Sequence, residues 1–162
     1  MSASPRTGVV VAGRLGIAAA SVVLYGVALA LPAARFQVIG AEEQVFSGAK
    51  VLLLGWYAVV SASNAGWLAN APYAMGLIMM MAGLRRASLA AGLVAFACGL
   101  HSLRLVGVTF DADEAGARKM VLTYFDSAFY FWMGAMLVML PGAFLFRSPP
   151  PVKVPYIPRP AA

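Results

Sequence analysis

The charged side chains of this chain are confined to short stretches that bracket long uncharged gaps. Twelve basic and six acidic residues leave the ranges 15–34, 51–84, 87–103 and 127–146 free of charge. A charge at the centre of a bilayer costs at least ~2.5–3.5 kcal/mol on insertion scales. Gaps of this length therefore predict membrane-spanning segments, and the sorting of the charges around them predicts the topology.

The composition argues against a soluble domain. Hydrophobic residues make up 62% of the 162 positions and charged residues only 11%, whereas about a quarter of the residues of a soluble domain are charged. A helix rises ~1.5 Å per residue and bilayer hydrocarbon is ~30 Å thick, so each span needs ~20 apolar residues. The continuous apolar runs also argue against a β-barrel, whose strands are ~10 residues of alternating polarity. We therefore predict an all-α, integral membrane four-helix bundle.

The first span is predicted at about 9–32. Arg6, Arg14 and the apolar run that follows also resemble a signal peptide. However, the run is long for that purpose, and Pro32 disturbs the best cleavage windows. We therefore expect an uncleaved helix, followed by a polar connector at 33–50.

The 51–84 gap is too long for one ordinary span and short for two. With one crossing, all six acids lie on or towards the outer side, as the positive-inside rule favours. The bases on the cytoplasmic side are then Arg6, Arg14, Arg85, Arg86, Arg147, Lys153 and Arg159. With two crossings this pattern inverts for the second half of the chain. The gap therefore predicts one span, at about 64–84, with N- and C-termini both cytoplasmic in a bacterial inner membrane.

The surplus residues of that gap predict an extra interfacial or re-entrant helix at about 48–62. Its aromatic side chains Trp56 and Tyr57 suit the level of the lipid headgroups, as does Trp67 a little further on. A break is expected around Asn64–Pro72, because proline removes a backbone donor that another group must compensate.

The remaining spans are predicted at about 87–108 and 120–146, joined by a charged turn. Six prolines in the last fourteen residues predict a polyproline-like or disordered cytoplasmic tail at 149–162. No internal repeat is evident, so residues 1–148 are predicted to form a single transmembrane domain.

Small residues recur every four positions in two of the predicted spans. Ala12, Gly16 and Ala20 do so in the first span, and Ser88 and Gly92, followed by Ala95 and Gly99, do so in the third. Small residues at this spacing let helices approach closely in lipid. Frequent alanine and glycine would produce the same pattern, so the spacing leaves open whether these faces contact each other or another subunit.

Several polar residues fall in the outer half of the predicted spans. Counting from the cytoplasmic bases gives Arg104 and Asp126 a similar depth on neighbouring helices, and an unpaired charge there would be costly. We therefore predict an ion pair between Arg104 and Asp126, either as a structural link or as part of a proton, ion or ligand site. The hypothetical site comprises Asn64, Asn70, His101, Arg104, Tyr124 and Asp126.

Other chemistries find little support in the sequence. The bases occur singly or in pairs at span ends, without the basic stripe that nucleic acid requires, and no catalytic motif is present. The single histidine, His101, excludes bis-histidine haem within the chain, although a single axial ligand with a methionine partner stays conceivable. Methionines in the second and fourth spans suit either Cu(I) or apolar packing, and we expect packing. We therefore predict no cofactor, no metal site and no catalytic residues.

Three segments of the chain resemble a group of small bacterial inner-membrane proteins to which no function is assigned. They are Val51–Trp56, which ends in Gly-Trp, Gly66–Asn70, which reads Gly-Trp-Leu-Ala-Asn, and the aromatic run Tyr130–Trp132. The chain differs from the group by Ala71, which separates Asn70 from the proline. The resemblance implies the same topology and marks Trp56, Trp67 and Asn70 as a unit, but implies no activity.

The sequence as a whole favours a non-catalytic accessory or assembly subunit of a bacterial membrane complex, with the lipid bilayer and other membrane subunits as its partners. The alternative is a small transporter or ion-conducting protein that uses the polar site in the outer half of the bundle. A lipid- or quinone-modifying enzyme is a third class, which would need more convergent titratable groups than the sequence offers.

Overall fold

The computed structural model describes residues 5–112 and 118–145, with side chains over 8–112 and 118–142. The predicted tail at 149–162 and part of the charged turn lie outside the described residues. The described chain forms a layer of four longer helices that is covered at one end by a small sheet and two short helices. In chain order the elements are α1 (Pro5–Ala30), β1 (Pro32–Val38), β2 (Gln44–Ser47), α2 (Gly48–Leu54), α3 (Trp56–Ser61), a 3-10 turn (Gly66–Ala69), α4 (Asn70–Met81), α5 (Arg85–His101), a second 3-10 turn (Ser102–Leu105), β3 (Thr109–Asp111), β4 (Lys119–Phe125) and α6 (Ser127–Leu145).

The prediction of an all-α fold is wrong, because the two long connectors pair as an antiparallel sheet in the order β2-β1-β4-β3. In β1 the buried residues Ala34, Phe36 and Val38 alternate with the more exposed Arg35 and Gln37, which is the period of a strand. The fold is therefore mixed, with helices and an antiparallel sheet.

The prediction of a helix over 120–146 also includes residues that are not helical. Lys119–Phe125 form a strand, and the last helix begins at Ser127. Only Asp126 and Ser127 separate this strand from the apolar run of the helix, so hydropathy alone gives little sign of a boundary between them.

β1 and β4 extend the packing of α1 against α6. Only Leu31 separates α1 from β1, and only Asp126 separates β4 from α6. At these two junctions the amide of Asp126 donates to the carbonyl of Ala33 at 2.9 Å, and the amide of Gly48 donates to the carbonyl of Leu31 at 2.9 Å. The sheet therefore continues directly from the helical layer.

In the helical layer α1 packs on α6 and α4, and α5 packs on α4 and α6. Within the described residues two helices are long and apolar enough to cross a membrane, Gly8–Ala30 and Arg85–Leu105, while the apolar helix Ser127–Gly142 is shorter.

α4 has twelve residues. Pro72 lies in the first turn of α4. Amides in the first turn of a helix have no acceptor within the helix, so the amide that proline lacks needs no compensating group.

Methionines of α6 fill the spaces that glycines leave on α4 and α5. A Cβ on Gly99 would lie 2.6 Å from Sδ of Met133, and a Cβ on Gly76 would lie 2.8 Å from Cε of Met139. Met133 and Met139 are buried in the main core cluster. These α6 methionines therefore serve as apolar packing, and the small-residue face of α5 is used inside the protein: Ser88, Gly92, Ala95 and Gly99 are all buried.

The segment predicted as one interfacial helix at 48–62 forms two short helices, α2 and α3, which meet at Gly55. Gly48, at the start of α2, lies directly against the backbone of Ala28, and a Cβ there would collide with the Ala28 carbonyl oxygen. Gly55 lies against the ring of Trp67, 2.6 Å from where a Cβ would be. Both short helices are thus held against the helical layer by glycine contacts.

The contact at Gly48 predicts that Gly48→Ala destabilises the protein by about 2 kcal/mol or more, because backbone cannot move aside as a flexible side chain can. Gly26→Ala is the matched control on α1, where nothing lies within 4 Å of an added Cβ. There the better helix propensity of alanine should stabilise by up to about 1 kcal/mol. Thermal unfolding of both variants in detergent measures the difference, and equal stability of the two would contradict the proposed contact.

Candidate functional site

The six residues predicted as one polar cluster do not come together. Arg104 is exposed on the second 3-10 turn. The other five form three groups: Tyr124 and Asp126 at the sheet and its junction with α6, Asn64 and His101 between the loop before α4 and the end of α5, and Asn70 at the start of α4. Each group is held by its own hydrogen bonds, so the site must be built up from these groups separately.

The predicted Arg104–Asp126 ion pair is wrong, since Asp126 binds Arg35 instead. Nε of Arg35 donates to Oδ2 of Asp126 at 2.9 Å, and its guanidinium lies 3.6 Å from Glu43 and over the ring of Tyr124. Asp126 lies at the junction of β4 and α6, and counting along the predicted spans left Arg35 out because Arg35 lies in a connector. β1 and β4 are paired, which brings Arg35 to this junction.

The hydrogen bond from Arg35 lowers the pKa of Asp126 below its ordinary value, and the backbone amide of Ser127, which donates to Oδ1 at 2.7 Å, lowers it further. The same hydrogen bond raises the pKa of Arg35. Both charges therefore persist through the neutral range. This group joins β1 to the start of α6 and has the character of a structural link.

Asn64 and His101 connect the loop before α4 to the end of α5. The buried Asn64 side chain donates to the carbonyl of His101 at 2.8 Å and accepts from the amide of Gly66 at 2.8 Å. Nδ1 of His101 accepts from the amide of Ala65 at 3.1 Å, so the neutral ring carries its proton on Nε2. Ser63, just before Asn64, adopts a φ of +49°, a left-handed conformation that these hydrogen bonds hold in place.

Asn70 is the centre of the third group, which joins four parts of the chain. Its Oδ1 accepts from the hydroxyl of Tyr25 on α1 at 3.0 Å and from Nε1 of Trp132 on α6 at 3.1 Å. Its Nδ2 donates to the carbonyl of Trp67 at 2.8 Å, and Nε1 of Trp67 donates to the carbonyl of Leu52 on α2 at 2.7 Å. Asn70 was predicted as a site residue, and Trp67 was linked to it by the resemblance.

Sequence reasoning missed Tyr25 as a member of this group and quoted Trp132 only as part of an aromatic run. A signal existed, since a buried tyrosine hydroxyl or indole N–H normally finds an acceptor. Tyr25 also stacks on Tyr73, with ring centroids 5.1 Å apart. The Tyr73 hydroxyl is 2.9 Å from Ser21 Oγ, which donates to the carbonyl of Ala135 at 2.8 Å. The polar network thus continues into the helical layer.

A cavity of about 110 Å³ lies beside Asn70, between α2 and the end of the helical layer that adjoins the sheet. Most of its lining is apolar, and the polar members are largely engaged in the bonds described above. Further along α4 and α6 the helical layer is filled by Tyr73, Met80, Met136 and Met139. The cavity lining is Tyr25, Ala28, Leu29, Ala33, Gly48, Val51, Leu52, Gly55, Ala58, Asn64, Gly66, Trp67, Asn70, Ser102, Leu105, Phe125, Ala128, Phe129 and Trp132.

A larger groove of about 450 Å³ lies between the inner face of the sheet and the helices α2 and α3. Of the aromatic residues predicted for the headgroup level, Trp56 and Tyr57 line this groove and are exposed, with Trp56 51% accessible. Trp67 lies inside, against Gly55. Among the described residues no three His, Cys, Asp or Glu side chains come together as metal ligands do.

No protein-family model, curated protein or solved structure matches this chain. The candidate site is therefore defined by three features of the structure. They are the Asn70 side chain with its three hydrogen bonds, a small apolar cavity and an adjoining apolar groove. This arrangement can hold an apolar molecule, and it offers no free pair of acid and base for catalysis among the described residues that line it.

The Arg35–Asp126 pair predicts a specific pH dependence. Asp126 has a lowered pKa in the folded protein, so its contribution to stability is complete above the ordinary carboxyl pKa of about 4 and is lost as the pH falls through the lowered value. Asp126→Asn should therefore be less stable than wild type at neutral pH, and the difference should vanish in acid. Thermal unfolding of both proteins between neutral and acid pH measures this.

A double-mutant cycle separates the observed pair from the predicted one. Arg35→Leu and Asp126→Leu should be non-additive, whereas Arg104→Leu and Asp126→Leu should add. Additivity of the first cycle would contradict the ion pair.

The Asn70 hub predicts that Asn70→Leu costs about 1–3 kcal/mol, because it leaves the Tyr25 hydroxyl and the Trp132 indole without their acceptor. Trp132→Phe removes one donor to Oδ1 of Asn70, which still accepts from Tyr25. The loss of stability in the Trp132→Phe variant should therefore come from packing. In the Asn70→Leu background the further change Tyr25→Phe should be nearly neutral. A large additional loss in that double variant would show that Tyr25 does not depend on Asn70.

Proposed function

We propose that this protein is a non-catalytic accessory or assembly subunit of a bacterial cytoplasmic membrane complex. In this proposal α1, α4, α5 and α6 cross the membrane, both termini are cytoplasmic, and the sheet lies on the outer side. The two helices that are long and apolar enough to cross a membrane support it. Large apolar side chains exposed on the outside of the helical layer also support it, among them Val23, Ile78, Leu93 and Val94, since such a surface is costly in water.

The length of α4 is compatible with a crossing. Its twelve residues rise only about 18 Å, but the turn from Gly66 and the residues up to Leu84 extend the apolar stretch on both sides. Local thinning of the bilayer accommodates a short span at modest cost. Arg85 and Arg86 then lie at the cytoplasmic end, as the positive-inside rule favours.

One observation carries the proposal of a protein partner. The small-residue face of α1, formed by Ala12, Gly16 and Ala20, lies on the outside of the protein, and nothing approaches within 4 Å of a Cβ added to Gly16. The corresponding face of α5 is packed internally. A second helix can therefore approach α1 closely along this face, which is how helices associate in lipid.

The variant Gly16→Leu tests this. It leaves the protein's own packing unchanged and improves helix propensity, but it places a large side chain in the middle of the proposed contact face. Gly26→Leu is the matched control, since Gly26 is equally open and lies off the Ala12–Gly16–Ala20 row. Proteins that co-purify with the wild type in mild detergent should be lost with Gly16→Leu and retained with Gly26→Leu.

Two results would count against the accessory role: a wild type that purifies alone, as a monomer or homo-oligomer, or a set of partners that is indifferent to Gly16→Leu. The thermal stability of the free variant should equal or exceed that of the wild type, which separates loss of association from misfolding.

The alternative, a small transporter or ion-conducting protein, is favoured by the cavity beside Asn70 in the outer half of the helical layer. The apolar lining of this cavity and the methionine packing between it and the inner end of α6 give the alternative less support than the accessory role. Flux of ions or small solutes into proteoliposomes that Asn70→Leu abolishes would reverse this order.

A further inference from the structure

The groove under the sheet is an apolar, aromatic channel. Its floor and walls come from the inner faces of all four strands and from α2 and α3. Phe36, Phe110 and Leu122 are buried in the cluster beneath the sheet, and Phe46 and Met120 pack against it. The volume of about 450 Å³ lies within the range of sites that hold small molecules, which are mostly apolar with a few polar groups.

The walls of this groove are held apart because α2 and α3 are attached to the helical layer. Gly48 contacts the backbone of Ala28, and Gly55 contacts the ring of Trp67, whose Nε1 donates to the carbonyl of Leu52. These contacts fix α2 and α3 to the helical layer, and Val51 and Ala58 also pack against the apolar cluster of the sheet. The groove that is left carries exposed aromatic side chains at its edge, a surface that an apolar ligand would cover.

The polar groups of the groove indicate which end of the occupant is charged. Asp111 is paired with Lys119, so these two charges compensate each other. Lys50 has its ammonium 3.6 Å from the centre of the Phe46 ring, and no carboxylate among the described residues forms a salt bridge with it. The lining thus combines an apolar channel with one ammonium group that suits an anionic head.

The groove continues towards the cavity beside Asn70. Five residues line both spaces and form the boundary between them: Val51, Gly55, Ala58, Leu105 and Phe125. A linear chain with its head at Lys50 can extend along the groove in the direction of this boundary.

We propose that this groove binds a long-chain fatty acid, with its carboxylate at Lys50 and its acyl chain along the sheet towards Ala58. This inference goes beyond the accessory role and is independent of it, because it depends on the groove rather than on the outer face of α1. A protein with Gly16→Leu should therefore bind the fatty acid as the wild type does.

Native mass spectrometry of the full chain, titrated with palmitic acid in detergent, tests the proposal. One palmitate should bind per chain, and within the series of shorter saturated acids each added methylene should strengthen binding up to about fourfold. Lys50→Gln should weaken palmitate binding about tenfold, because it removes a charge-assisted contact, and should leave the weaker binding of hexadecanol unchanged. Arg104→Gln, which removes an exposed charge at the same end of the protein, is the matched control and should have no effect.

Ala58→Trp should abolish binding, because its side chain would occupy part of the groove that Ala58 lines. A photoreactive fatty acid on the wild type gives a second readout that does not depend on how this variant folds: its adducts should map to the groove, at Phe36, Phe46, Leu54 or Phe110. Absence of saturable binding, tighter binding of a diacyl phospholipid than of palmitate, equal effects of Lys50→Gln and Arg104→Gln, or adducts confined to the outer surface of α5 would each overturn the proposal.

Discussion

The pairing of β1 with β4 is the interaction on which the rest of the structure depends. The two strands belong to connectors that are about ninety residues apart in sequence, and each joins its helix through a single residue. Backbone amides and carbonyls that are buried away from water need partners, and this pairing supplies partners at the point where α1 ends and α6 begins. It also brings Arg35 to Asp126 and sets the inner face of the sheet above α2 and α3. Without it there would be no groove.

The buried polar side chains form hydrogen bonds that connect one element of the fold to another. Asn70 links α1, α6 and the turn before α4, and Asn64 links the same loop to the end of α5. An amide is suited to this work because it accepts and donates at once and carries no charge to desolvate. The spaces beside these links therefore keep a mostly apolar lining, which suits an apolar ligand.

The sequence allowed the helices to be predicted better than the sheet, and the reason is physical. Uncharged gaps mark apolar helices clearly, whereas the alternation of Ala34–Val38 spans only a few residues inside a connector that also carries charges. β4 is hidden for a different reason, since only Asp126 and Ser127 separate it from the apolar run of α6. The wrong partner for Asp126 followed from the missed sheet, because the pairing of β1 with β4 brings Arg35 to Asp126 from a distant connector. Asn64 and Asn70 stood out as polar residues in the outer half of the predicted spans, although the structure places them in separate groups, and Tyr25 and Trp132 resemble ordinary apolar filling until their acceptor is known.

The acidic residues take on a second meaning in the folded chain. From the sequence their confinement to two connectors indicates topology, since acids gather on the outer side of the predicted spans. In the structure Glu43 and Asp126 face Arg35, and Asp111 pairs with Lys119, so these acids neutralise the bases of the sheet itself. Lys50 lies outside these pairs and above an aromatic ring at the edge of an apolar groove. Among the described residues, the charges that predict membrane topology in the sequence thus leave Lys50 outside these pairs and beside the groove, where an anionic amphiphile would bring a carboxylate.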